Sequence, residues 1–159
     1  MKTIEYRTVD KSSWPIGVWQ EEPDKRQWMD EASGLPCLIV RNPSLGHLCG
    51  YVGVPPHHPD FCKEYDNVSA DVHGGLTFSG FCQKDSEETG ICHTVEVFED
   101  DKVYWFGFDC AHWGDMSPNM PFRDSHEDGQ KYKDFPYVEK QCQELAAQLK
   151  ERMTSGEPV

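Results

Sequence analysis

The feature that most constrains this chain is one strong helical periodicity at its C-terminal end. Val138, Cys142, Leu145 and Leu149 recur at i, i+4, i+7 and i+11, so they share one helical face. Asp134 can cap the start, Lys150 and Arg152 complement the macrodipole near the end, and Gly156 and Pro158 stop the helix. An amphipathic helix must bury its apolar face against something, and the rest of the chain offers strands. Val103-Tyr-Trp-Phe-Gly-Phe108 is apolar on both sides, the pattern of a central, doubly covered strand. Residues 26–31, 35–41 and 47–54 read as three more strands, with Ser33-Gly34 and Asn42-Pro43 supplying turns between them. Pro55-Pro-His-His-Pro59 ends the third. The expectation is an α+β fold: a mostly antiparallel β-sheet with the C-terminal amphipathic helix packed on one face. A short helix over Asp60–Tyr65, a strand entered from residues 71–80, a Val95–Phe98 strand turning through Glu99–Lys102, and a long loop over 109–133 complete it.

Composition enters where the core must be filled. Only 31 of 159 residues are Leu, Ile, Val or Phe, and the formal net charge is −13. That lies near the compositional border for disorder. Five Trp, six Tyr, five Met and seven Cys can also fill a core, so aromatic side chains carry much of the burial. A single domain is expected over 26–155, preceded by an extended arm, 1–25, whose Trp14 and Trp19 dock on the body. The charge argues against direct nucleic-acid binding, which needs clustered Lys and Arg, and against an anionic membrane surface. No apolar run reaches the roughly 20 residues of a membrane helix. The N-terminus does not read as a secretory signal, so the cytoplasm is the expected location. There the seven cysteines, none in C-x-x-C spacing, are expected as thiols or metal ligands, most of them small buried hydrophobes.

The charge is not spread evenly. Residues 60–128 hold 16 of the 28 acids and only four bases, a local net of −12, together with His73, His93, His112 and His126. Two motifs stand out in that segment. Asp71-x-His73-Gly74-Gly75 sets an acid and an imidazole two apart beside a backbone that a ligand can approach closely. Phe108-Asp-Cys-Ala-His-Trp-Gly-Asp115 follows the apolar strand, where a rigid scaffold can hold active groups at the surface. Two imidazoles and a carboxylate suit zinc or another divalent metal, and the candidate ligands are His73, Asp109 and His112. Asp71 and Asp115 are alternative carboxylates. Candidate ligand-binding residues are His58, Asp71, Gly74, Gly75, Trp113 and Asp115. Against these stands the plainer expectation that such groups fix turns and cap backbone amides. Cys110 as a nucleophile is disfavoured, because a neighbouring Asp raises a thiol pKa.

Four stretches carry a resemblance: Cys49-Gly-Tyr-Val-Gly-Val-Pro-Pro-His-His-Pro59, Asp71-Val-His-Gly-Gly-Leu-Thr-Phe78, Tyr104-Trp-Phe-Gly-Phe-Asp-Cys-Ala-His-Trp-Gly-Asp115 and Tyr132-Lys-Asp-Phe-Pro-Tyr-Val-Glu139. Over roughly residues 14–150 the chain resembles a family of short proteins encoded by bacteriophages and prophages. The resemblance implies a setting, an accessory protein in a bacterial host cytoplasm, and assigns no activity to any residue. Two functional expectations follow. One is an accessory protein that binds and inhibits a host bacterial factor, such as a defence component, through its acidic region. The alternative is a small metal-dependent hydrolase or small-ligand-binding protein using the Asp/His motifs. The partner is accordingly a host protein or a small molecule, and a dimer is compatible with either. Convergence of Asp71, His73, Asp109 and His112 favours chemistry or a small ligand; scattered side chains favour protein binding.

Overall fold

The computed structural model describes residues 3–82, 88–91, 102–112, 114–119 and 131–155, with side chains to Met153. Six strands, β1 (Ile4–Tyr6), β2 (Lys25–Met29), β3 (Pro36–Arg41), β4 (Leu48–Val54), β5 (Phe78–Phe81) and β6 (Tyr104–Asp109), precede one helix, α1 (Phe135–Ser155). They form one sheet in the order β1-β2-β3-β4-β6-β5, antiparallel at every pairing. The chain is therefore an α+β protein, a meander of four strands extended by a β6–β5 pair. β6 sits between β4 and β5, and its side chains are buried on both faces.

Alternation along the strands divides the core. Cys37, Ile39, Leu48, Val52, Val54, Tyr104, Phe106 and Phe108 face α1 and pack with Val138, Cys142, Leu145 and Leu149, all at most 5 % exposed. Leu38, Tyr51, Trp105, Val103 and Ile91 form a smaller cluster on the opposite face. Gly50 lets the helix settle, since a Cβ there would lie 2.4 Å from the Phe108 ring and 2.8 Å from Cys142 Sγ. Burying four helix side chains of this kind stabilises the fold by about 1.5–3 kcal/mol each before conformational entropy is counted.

Both ends of α1 are tied by side chains. At the start, Asp134 Oδ1 accepts the Tyr137 N–H at 3.1 Å and Glu22 Oε2 accepts the Phe135 N–H at 3.1 Å, satisfying two donors the helix leaves open. At the far end the buried His58 ring donates from Nε2 to the Leu149 carbonyl at 2.8 Å. Arg152 grips the carboxylate of Asp60, which also pairs with Lys63 at 3.1 Å. This corrects the helix expected over Asp60–Tyr65. Turns followed by a short 3-10 segment, Tyr65–Asn67, occupy that region. Asp60 is held by Arg152 and Lys63 and is not free to begin a helix.

The N-terminal arm does more than lie along the body. Its residues 4–6 pair with β2 as an edge strand, and Trp14 and Trp19 are buried. Arg41, fully buried on β3, donates to Asp24, Glu22, the Tyr132 hydroxyl and the carbonyls of Pro23 and Gly46. Asp24 in turn pairs with Lys11 at 2.6 Å and accepts the N–H groups of Thr8 and Val9.

The cysteines depart from expectation at one place. Cys37, Cys110 and Cys142 are buried thiols, Cys49 is half-buried and Cys62 is exposed, all free, but Cys82 is in a disulfide. Cys92 lies outside the described residues, as do the Val95–Phe98 strand, residues 113 and 120–130 of the 109–133 loop, and Gly156 and Pro158. Among the described residues no helix is long and apolar enough to cross a membrane.

Candidate functional site

The loop carrying the first motif is fastened to the helix backbone to side chain. Gln148 receives the Asp71 N–H on Oε1 at 2.8 Å and donates from Nε2 to the Asp71 carbonyl at 2.9 Å. About two turns towards the N-terminus, Gln141 Oε1 accepts the His73 N–H at 2.8 Å. Tyr137, Gln141 and Gln148 lie at i, i+4 and i+11, so a single polar helix face aims the His73 ring.

Both ring nitrogens of His73 are engaged. Nδ1 lies 2.7 Å from the Tyr137 hydroxyl and Nε2 lies 2.8 Å from Asp115 Oδ2. A carboxylate only accepts, so for a neutral imidazole the proton sits on Nε2 and the phenol donates to Nδ1. Asp115 is itself held on all sides. Its Oδ2 also accepts the His112 N–H at 3.0 Å, and Oδ1 pairs with Lys133 at 3.1 Å. A backbone bridge to Lys131 fixes this segment beside the start of the helix. Burial alone would raise the Asp115 carboxyl, but hydrogen bonds from His73, the His112 N–H and Lys133 outweigh it and hold it below its ordinary value. Tyr137 is shifted the other way. Burial raises its phenol, and Cys110, Asp115 and Glu144 push in the same direction.

The second imidazole stands alongside. The His73 and His112 ring centroids are 5.9 Å apart. His112 lies against Gly74, whose φ is +68° and where a Cβ would come within 2.2 Å of the His112 ring. His112 Nε2 is 3.2 Å from Asp109 Oδ1, an electrostatic contact without hydrogen-bond alignment, and that buried nitrogen has no hydrogen-bond partner. Asp109 closes the end of β6 by accepting the Ala111 N–H at 3.1 Å and the Thr77 hydroxyl at 3.3 Å.

The structure thus gathers His73, Gly74, Asp109, His112 and Asp115 into one cluster and leaves two predicted residues elsewhere. Asp71 is exposed and contributes its backbone. His58 sits by Leu149, twelve residues along the helix from Tyr137 or about 18 Å. Its Nδ1 accepts the Asp60 N–H at 2.9 Å, so both its nitrogens serve the fold. Gly75 has φ +80° with nothing close to a Cβ, which fits a turn. Trp113 lies outside the described residues. The expected zinc or other divalent metal finds no ready ligand set: His73 has committed both nitrogens, and among the described residues no group of three His, Cys, Asp or Glu is arranged to hold a metal ion. Cys110 is buried and its thiol is pushed far up by burial and by Asp115, so it is no nucleophile at neutral pH.

Tyr137, Lys133, Gln141 and Gln148 are the members that motif reasoning missed. The helix-face spacing of Tyr137, Gln141 and Gln148 is a usable signal; Lys133 offers none. Together, fold and site define an antiparallel α+β protein with a hydrogen-bonded acid–base cluster where a β-strand end, a glycine loop and a helix start meet. Comparison with protein-family models, curated proteins and solved structures gives no match to this chain.

Proposed function

We propose that this is an accessory protein that works by holding a small polar ligand at the His73 cluster, where Asp115, His73 and Tyr137 form a line along which a proton can move. The observation that carries this reading is the double engagement of His73, 2.7 Å from Tyr137 and 2.8 Å from Asp115, in a loop fastened by Gln141 and Gln148. Such pre-organisation exceeds what a turn requires, and it sets a half-exposed phenol at the open end of the line. Inhibition of a host protein through the acidic segment draws less support. Asp60 and Asp115, two acids of that segment, are neutralised internally by Arg152, Lys63 and Lys133.

The test is to purify the untagged protein from bacterial cells, denature it, and identify released small molecules by mass spectrometry. The account expects one compound near stoichiometry in the wild type, depleted by His73→Gln and by Tyr137→Phe. A host protein retained equally by wild type and both variants, with no small molecule released, would sink it in favour of the inhibitor.

A further inference from the structure

We propose that Tyr137 is a nucleophile able to take an acyl group, with His73 as its base and Asp115 as the carboxylate that orients the imidazole. This rests on the reading of the His73 cluster as the functional site and adds a reaction class to it. An activated nucleophile is recognised by two linked hydrogen bonds, nucleophile to base and base to a third group, each about 2.6–3.2 Å. Here they are 2.7 and 2.8 Å. The buried carboxylate of Asp115 leaves His73 with its proton on Nε2 and a lone pair on Nδ1 facing the phenol, the arrangement in which His73 can take the phenol proton.

One positive charge stands near the phenol, against burial, Cys110, Asp115 and Glu144, which all favour its protonated form. Lys133 Nζ lies 5.9 Å from the centre of the Tyr137 ring and 3.1 Å from Asp115 Oδ1, so a positive charge stands beside both the phenol and the carboxylate. Burial keeps the Tyr137 phenol protonated above its ordinary range, which makes a base necessary. Cys110, the competing nucleophile by residue type, is 1 % exposed.

The step balances without a redox partner. Tyr137 Oη adds to the acyl carbonyl while its proton passes to His73 Nδ1. The tetrahedral adduct expels the leaving group, which takes that proton from the imidazolium, and Tyr137 is left as an ester. Water then hydrolyses the ester with His73 again as base, releasing a carboxylic acid and restoring the phenol. Asp109 nearby, which has no Lys or Arg partner among the described residues, favours a neutral or cationic acyl compound over an anionic one.

The test uses p-nitrophenyl acetate as the probe, with acetylated residues located by peptide mass spectrometry. Tyr137 should be acetylated faster than the exposed Tyr65. His73→Gln should slow that labelling by roughly 100-fold or more, and Asp115→Asn should slow it to a lesser degree. Tyr137→Phe should leave lysine acetylation unchanged. Labelling of Tyr137 at the same rate in the wild type, His73→Gln and Asp115→Asn overturns the proposal, as does an unlabelled Tyr137. If His73 carries its proton on Nε2 in solution and Tyr137 stays unlabelled, only the nucleophile fails. If the proton sits on Nδ1, the relay beneath it fails too.

Discussion

Asp115 lies at the meeting point of His73, Lys133 and the His112 N–H, and its ionisation is linked to folding. Its carboxyl is held below the ordinary value of 3.8 in the folded chain. A depressed carboxyl contributes stability above its unfolded value, and that contribution is lost as pH falls through the folded one. Asp24 and Asp60 are shifted in the same direction. Wild type and Asp115→Asn should therefore differ most at neutral pH and converge as pH falls below about 4, read by urea unfolding across pH. A constant difference down to pH 2 would deny Asp115 its pairing. At this scale the motifs were partly legible. His73, Asp109, His112 and Asp115 stood out because glycines frame them. Tyr137 and Lys133 did not, because their part depends on the helix start docking some sixty residues further along the chain from His73.

The loop and the helix make separable predictions as elements. Gly74→Ala meets two obstacles, a φ of +68° and a His112 ring within 2.2 Å of the new Cβ, whereas Gly75→Ala meets only a φ of +80°. Gly75→Ala should cost about 1 kcal/mol and Gly74→Ala about 2–3 kcal/mol. Equal costs in chemical denaturation would mean that His112 does not rest on the loop. At the other end of α1, burial holds the His58 imidazole below its ordinary value of 6.5. A depressed histidine stabilises the fold above its unfolded value and loses that contribution as pH falls towards the folded one. The wild type should lose more stability between pH 7 and 5 than His58→Gln; parallel curves would contradict the buried neutral ring. Strands β3, β4 and β6 and the helix were legible because alternation and the 3.6-residue period report burial directly. The short helix over 60–65 misled because its first acid answers to Arg152, 92 residues away, and no local pattern reports that.

For the whole molecule, the joint between arm, sheet and helix matters most. Arg41 is fully buried and its charge is balanced by Asp24 and Glu22, both in the arm. Asp24→Ala would leave part of that charge uncompensated and should cost about 3–5 kcal/mol, seen as a lowered Tm. A change below 1 kcal/mol would show the arm to be dispensable. The net charge of −13 first reads as an acidic surface, but part of it lies inside, at Asp24, Asp60 and Asp115, where each carboxylate holds elements together. Two of these three, Asp60 and Asp115, belong to the acidic middle segment. The account stands on one proton position within it. Nitrogen-15 two-bond NMR correlations of the His73 ring at neutral pH should show the Nε2–H tautomer, with Tyr137→Phe perturbing Nδ1 and Asp115→Asn perturbing Nε2. An Nδ1–H tautomer, or a ring indifferent to both substitutions, would contradict it.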